Sequence, residues 1–81
     1  MTRGSAAFNG LAGDVARMIV AEHPDTVDRW LDDEPGSWGR LAGLAVMEAR
    51  RRLGRPLAEP ERRVVWDRLW RTLEGERLDH G

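Results

Sequence analysis

Cysteine and lysine are both absent from this sequence, and the first absence excludes whole classes of site. Without cysteine there is no disulfide framework and no thiolate metal site, which fits a reducing compartment. No apolar run exceeds four residues, as at 44–47, whereas a transmembrane helix needs about 20. Residues 1–10 lack the apolar run of a signal peptide. We therefore expect a cytoplasmic protein without a membrane segment.

The chain is long enough for one hydrophobic core and too short for two, at 81 residues. A chain of this size buries only about 60% of its unfolded surface, so its stability depends on a few large side chains. Those present are four tryptophans, nine leucines and one phenylalanine. We expect a single domain over residues 1–75 and a disordered tail over 76–81.

Apolar residues recur at spacings of three and four along most of the chain, which predicts amphipathic α-helices. No stretch shows the alternation of a half-buried strand. Helices are predicted over residues 6–22, 24–32 and 38–53, and from 59 or 60 to 73. The short connections favour an all-α fold, a compact bundle of about four helices arranged as two helical hairpins.

Particular residues predict where these helices begin and end. Pro24 suits the first position of the second helix, because its missing N–H costs nothing there. Ser37 is predicted to cap the start of the third helix, and Gly54 and Gly75 to cap the ends of the third and fourth. The predicted apolar faces of these helices consist of Phe8, Leu11, Ala12, Val15, Met18, Ile19, Val27, Trp30, Leu31, Trp38, Leu41, Ala42, Ala45, Ala49, Leu53, Val65, Trp66, Leu69, Trp70 and Leu73.

Charge is unevenly distributed along the chain, although the net charge is only −1. Residues 1–39 carry three arginines and seven acids, a net charge of −4, whereas residues 40–81 carry ten arginines and seven acids, a net charge of +3. All 13 basic residues are arginine. One explanation is a genome rich in G and C, whose codons favour arginine. The other is function, because the flat, five-donor guanidinium suits phosphate binding and base stacking.

Many of these arginines lie around the junction of the third and fourth predicted helices. Cations at the end of the third helix complement its dipole, and Glu48 can pair with Arg52 at four-residue spacing. One interpretation is a solvated helix end, and the other is a phosphate-binding patch. The candidate RNA-binding residues are Arg40, Arg50, Arg51, Arg52, Arg55, Arg62 and Arg63.

The tryptophans are the second set of candidate binding residues. Trp66 and Trp70 lie one helical turn apart, which fits core packing or a platform on which bases stack. Trp30 and Trp38 flank an acidic turn and fit core packing or a half-exposed face for a protein partner. All four are therefore candidate partner-binding residues.

Gly39 and Gly43 form a small-xxx-small pattern in the third helix. In a membrane this pattern brings helices together, but the segment carries arginines and is not apolar enough to lie there. We predict a tight crossing with another helix of the same chain. The alternative is a close approach of the backbone to a ligand.

Residues that catalysis requires are not grouped in the sequence. Ser5 and Ser37 have no positioned base, the carboxylates are spread among arginines, and no strand precedes a glycine-rich loop. His23 and His80 are far apart and match no metal-binding spacing. We expect no enzymatic activity, no metal and no small-molecule cofactor.

Two short motifs resemble a known family. Residues 20–27, Val-Ala-Glu-His-Pro-Asp-Thr-Val, and 39–43, Gly-Arg-Leu-Ala-Gly, are similar to the helical C-terminal tail of the B subunit of the tRNA-dependent amidotransferase and its stand-alone relatives. The similarity covers about residues 14–73. His23, Arg40 and Leu44 stand where the family has Asn, an aromatic residue and Gln. The resemblance implies a helical module that docks on folded tRNA and contributes no chemistry.

Two functions are consistent with these patterns. The first is a module that binds structured RNA such as tRNA through its arginine-rich end, with an affinity that falls steeply with salt. The second is a protein-interaction adaptor, inhibitor or subunit that uses an apolar helix face. The acidic first half and basic second half would also permit a homo-oligomer with head-to-tail contacts. Exposure of two tryptophans side by side would favour the protein partner.

Overall fold

In the computed structural model, which describes residues 3–80 and the side chains of residues 7–79, the chain forms four α-helices and, within that range, no strand. They are α1 (Arg3–Glu22), α2 (Pro24–Leu31), α3 (Ser37–Leu53) and α4 (Glu59–His80). The all-α class and the number of helices predicted from periodicity are confirmed. Most predicted boundaries lie within a few residues of those observed, and α4 is the exception.

The long helices α1, α3 and α4 pack on one another, and the short α2 lies mainly on α3. The most extensive packing joins α1 to α4, the first and last helices of the chain. The side chains at the centre are completely buried aliphatic residues from these three helices. The largest of them are Val15, Leu41, Val65, Leu69 and Leu73.

Small residues let α1 approach α4 closely. Ala12, Gly13 and Ala16 are all buried, and a Cβ atom placed on Gly13 would lie 2.7 Å from Nη2 of Arg68. The Arg68 side chain thus lies across α1 in the space that Gly13 leaves free. The glycine weakens the isolated helix, and the close packing offsets that weakness.

Two glycines in the left-handed conformation delimit α3. Gly54 follows its last turn with φ 75° and donates its N–H to the carbonyl of Arg50 at 2.9 Å, as predicted. At the other end the N-cap is Gly36, with φ 87°, and α3 begins at Ser37 itself. The prediction that Ser37 caps the helix is wrong. Its hydroxyl donates to the carbonyl of Glu34 at 2.7 Å instead of accepting an N–H.

Helix α4 continues through Gly75 to His80, so the predicted end at Leu73 and the predicted cap at Gly75 are wrong. Residues 76–80, predicted as a disordered tail, form the last turns of this helix, and Gly81 lies outside the described residues. The physical reason is a tertiary contact. The guanidinium of Arg77 lies 4.4 Å from the centre of the Trp30 ring, and its Nη2 is 3.7 Å from Oδ1 of Asp33.

Three tryptophans from three different helices meet in one cluster. The ring of Trp70 from α4 meets Trp30 from α2 at 5.6 Å and Trp38 from α3 at 5.5 Å, with interplanar angles of 89° and 82°. These edge-to-face arrangements are favourable beyond the area they bury. This tryptophan cluster fixes the short α2 against the rest of the bundle.

Replacement of Leu69 tests the position of the core. Leu69→Ala should lower the free energy of unfolding by about 2–5 kcal/mol, because the side chain is completely buried and the substitution leaves a cavity. Urea denaturation followed by circular dichroism measures the change. Leu78→Ala, on the same helix at a position 79% exposed, should change stability by less than about 0.5 kcal/mol. Equal effects of the two substitutions would contradict this assignment of the core.

Removal of the Arg77 side chain tests what holds the end of α4. Arg77→Ala should speed amide hydrogen exchange after Gly75 by about two- to fivefold or more, since a cation–π contact contributes about 0.5–1 kcal/mol even where it is exposed, and this one is half-buried. The control is Arg71→Ala, which removes an exposed arginine paired with Asp67 at 3.1 Å on the same helix. Unchanged exchange in Arg77→Ala would show that the contact does not hold these turns.

Candidate functional site

An open apolar groove runs between α3 and the first half of α4. Its volume is about 530 Å³. Helix α3 and the loop before α4 provide most of the lining, and two residues of α4 provide the opposite wall. The lining residues are Trp38, Gly39, Ala42, Gly43, Val46, Arg50, Pro56, Leu57, Arg62 and Trp66.

The floor of the groove is the small-residue face of α3. Gly39 and Gly43 are exposed, and a Cβ atom placed on either would have nothing within 4 Å. No other helix among the described residues therefore crosses α3 at these positions, and the prediction of a tight crossing within the chain is wrong. Periodicity identified the small-residue face, but it could not tell whether another helix of the chain covers it.

The four candidate tryptophans occupy three different environments. Trp30 is buried, with 5% of its surface exposed, so it belongs to the core and not to a docking face. Trp38 is half-buried and lines one edge of the groove. Trp66 and Trp70 are 36% and 45% exposed, one turn apart on α4. Of the two alternatives that the sequence left open for this pair, core packing and an exposed platform, the structure shows exposed rings, because α4 faces α1 along the narrower row of Val65, Leu69 and Leu73.

Two arginines stand at the end of the groove nearest the α3–α4 loop. Arg50 and Arg62 both line it, and neither forms an ion pair among the described side chains. Trp66, one turn after Arg62, provides the apolar wall beside them. This groove thus combines an apolar floor with two unpaired cations at one end.

The other arginines of this end are paired with glutamates of the same chain. The Glu48 carboxylate accepts from Nη2 of Arg51 at 2.5 Å and from Nε of Arg52 at 2.8 Å. Arg63 lies 3.5 Å from Glu59. Hydrogen bonds from Arg51 and then Arg52 lower the pKa of Glu48 from 4.5 to about 2. These arginines therefore stabilise local structure as well as adding positive charge.

Arg55 and Glu61 connect the loop to the start of α4. The guanidinium donates to both carboxylate oxygens of Glu61, at 2.8 and 2.6 Å. The same carboxylate accepts the backbone N–H of Ala58 at 2.8 Å, which caps the helix. These hydrogen bonds, that of Arg55 first, lower the pKa of Glu61 from 4.5 to about 2. Arg55 thus has a structural role that the sequence pattern did not indicate.

Arg40 lies apart from the other candidate arginines. It borders a shallow, polar depression with Glu22, His23, Asp25 and Arg29, whereas Arg50 follows ten residues, about 15 Å, further along α3. Acidic residues surround Arg40 there, so it does not extend the basic surface at the α3–α4 loop. The predicted RNA-binding set is thus divided between two places.

Among the side chains of residues 7–79, no group of three or more His, Asp or Glu is placed to hold a metal ion. None of the helices within residues 3–80 has both the length and the apolar character needed to cross a lipid bilayer.

No protein-family model matches the chain, and no curated protein or solved structure is significantly similar to it. The resemblance to the amidotransferase tail stays a prediction from the sequence.

Several groove residues were not singled out from the sequence. Val46 sits between the predicted apolar face and the solvent face of α3, and Pro56 and Leu57 belong to a loop without periodicity. An indication was present in Leu57, a large apolar residue within the loop, which is buried. Its position over the groove depends on the path of the loop, which no local pattern predicts.

Acid sensitivity tests the two glutamates. Their pKa values are lower in the folded chain, so they stabilise it above the unfolded value of about 4.5, and this contribution is lost as the pH falls towards about 2. Urea midpoints should therefore fall between pH 4.5 and pH 2, and fall less in the double variant Glu48→Gln/Glu61→Gln. Glu22→Gln, at an exposed residue without an ion pair among the described side chains, controls for loss of charge. If the urea midpoint fell equally with pH in the double variant and in wild type, the lowered pKa values would not be those of Glu48 and Glu61.

Proposed function

We propose that this chain is a non-catalytic protein-interaction module, an adaptor, inhibitor or subunit that receives its partner in the α3–α4 groove. The observation that carries the proposal is the exposed face of Gly39 and Gly43 beside Trp66. A folded chain usually covers its small-residue faces and large aromatic rings, so a contiguous apolar groove left open favours a docking surface. Aromatic and arginine side chains are also those enriched at protein interfaces.

The distribution of charge favours a protein partner over RNA. Of the six arginines around the loop, four are paired with Glu48, Glu59 or Glu61. The net charge of these nine side chains is +3, because six cations are offset by three carboxylates. Binding of structured RNA needs many free cations to neutralise phosphates. Trp66 and Trp70 are exposed, but Trp70 is held edge-on by two other rings, which does not suit base stacking.

Blocking the groove provides the test. Gly43→Phe places a large ring over the floor, and its added Cβ atom meets nothing within 4 Å. Tagged wild-type protein, Gly43→Phe and the matched control Gly75→Phe are used to capture proteins from cells that express the chain naturally. Gly75 is also helical, exposed and free of neighbours, but lies outside the groove. The partner should be retained by wild type and Gly75→Phe and lost with Gly43→Phe.

Binding of labelled bulk tRNA, measured by fluorescence anisotropy at two salt concentrations, tests the RNA alternative. Saturable, salt-sensitive binding that persists in Gly43→Phe but disappears on charge reversal of Arg51, Arg52 and Arg55 would overturn the proposal. Such a result would support RNA recognition at the arginine-rich end, as the resemblance implies. Circular dichroism of every variant checks that the helices are intact.

A further inference from the structure

We infer that the partner segment which fills this groove is an amphipathic α-helix with carboxylates at one end, placed to pair with Arg50 and Arg62. This inference rests on the proposed function and specifies the chemistry of the partner. It is carried by the position of two unpaired cations within an otherwise apolar groove. The segment would supply apolar side chains against the floor and acidic side chains at the loop end.

The dimensions of the groove suit a helix of about three turns. Its lining extends along α3 from Trp38 to Arg50, a distance of about 18 Å at 1.5 Å per residue. Gly39, Ala42 and Gly43 have no side chain beyond Cβ, which allows a second helix axis to come close to α3, as at small-residue helix contacts generally. An extended strand finds no exposed backbone edge here, because the backbone of α3 is hydrogen-bonded within the helix.

The two arginines define the charge of the partner. Arg51, Arg52, Arg55 and Arg63 already have carboxylate partners, whereas the chain provides none for Arg50 and Arg62 among its described side chains. An apolar segment laid over the groove would remove water from both guanidinium groups and leave them uncompensated, which is unfavourable. Carboxylates at the same end avoid that cost, so acidic partners are selected over neutral or basic ones.

A second copy of the chain fits the groove less well. No acidic residue lines the groove, so a symmetric contact between two grooves would bring four unpaired arginines into one interface with no carboxylate from either lining. The acidic helix α2 is not a suitable occupant either. Its apolar residues Val27 and Trp30 are buried in its own core and are not free to enter the groove of another molecule.

A library of displayed helical peptides tests the inference directly. Peptides of about 14 residues carry fixed apolar side chains at helical spacing, and the remaining positions are randomised. They are selected against wild type, Gly43→Phe, Gly75→Phe and the charge-reversed variant Arg50→Glu/Arg62→Glu. The charge control is Arg63→Glu/Arg71→Glu, which changes net charge equally at exposed arginines outside the groove.

Wild type, Gly75→Phe and the charge control should enrich peptides with Asp and Glu clustered at one end. The Arg50→Glu/Arg62→Glu variant should bind those peptides with an affinity lower by about tenfold or more. It should instead enrich peptides with Lys and Arg at the same positions. Gly43→Phe should select none of the acidic peptides. Groove-dependent peptides with no acidic enrichment and no response to charge reversal would overturn the inference while leaving the proposed function intact. If no peptide binds wild type more tightly than it binds Gly43→Phe, both the inference and the proposed function fail. A concentration-dependent dimer in sedimentation that Gly43→Phe abolishes would instead identify a second copy as the occupant.

Discussion

The edge-to-face contacts of Trp70 with Trp30 and Trp38 are the interaction on which the arrangement of the helices depends. Helix α2 has eight residues, too few to be stable in isolation, and the chain has no disulfide to hold it. Trp30 anchors α2 against α4 through Trp70, and Trp38 anchors the start of α3 against the same ring. One side chain of α4 thus positions two other helices in a chain too small for a large core.

This arrangement has consequences at both ends of α4. Because Trp30 is held in place, its ring offers a surface for Arg77, and α4 extends past Gly75 where its local sequence favours an end. Because Trp70 is engaged by two rings, α4 turns its row of Val65, Leu69 and Leu73 towards α1. Trp66, one turn earlier, is then left beside the exposed glycines of α3. The groove is therefore open because core packing fixes the orientation of α4, and not because the region is loosely packed.

Local patterns predicted those features that depend on local physics. The left-handed cap at Gly54, the start of α2 at Pro24 and the buried row of α3 all follow from backbone preferences and periodicity. The end of α4 was missed because the contact between Arg77 and Trp30 joins residues 47 positions apart. The exposure of Trp66 and Trp70 could not be decided from the sequence, because periodicity cannot distinguish a wide apolar stripe from a narrow one flanked by exposed rings.

The candidate site shows the same division between local and tertiary information. The sequence identified the arginines and the small-residue face, but their roles depend on which groups the fold brings together. Arg55 forms its ion pair with Glu61 only because the loop reverses the direction of the chain between α3 and α4. Arg51 and Arg52 both pair with Glu48, from three and four residues away on the same helix. The sequence predicted the pair with Arg52 but not the pair with Arg51.

The ion pairs within the chain change how the arginine-rich segment is interpreted. The number of arginines in this segment is typical of a protein that binds a polyanion. Once the paired arginines are set aside, the unpaired ones that line the groove are Arg50 and Arg62, beside an apolar floor. Under the proposed function, two localised cations next to an exposed tryptophan would suit a defined pair of carboxylates on an apolar surface better than a continuous phosphate backbone. Recognition by a few placed charges within an apolar groove gives specificity against wrong partners, because each mismatched segment would bury an uncompensated guanidinium.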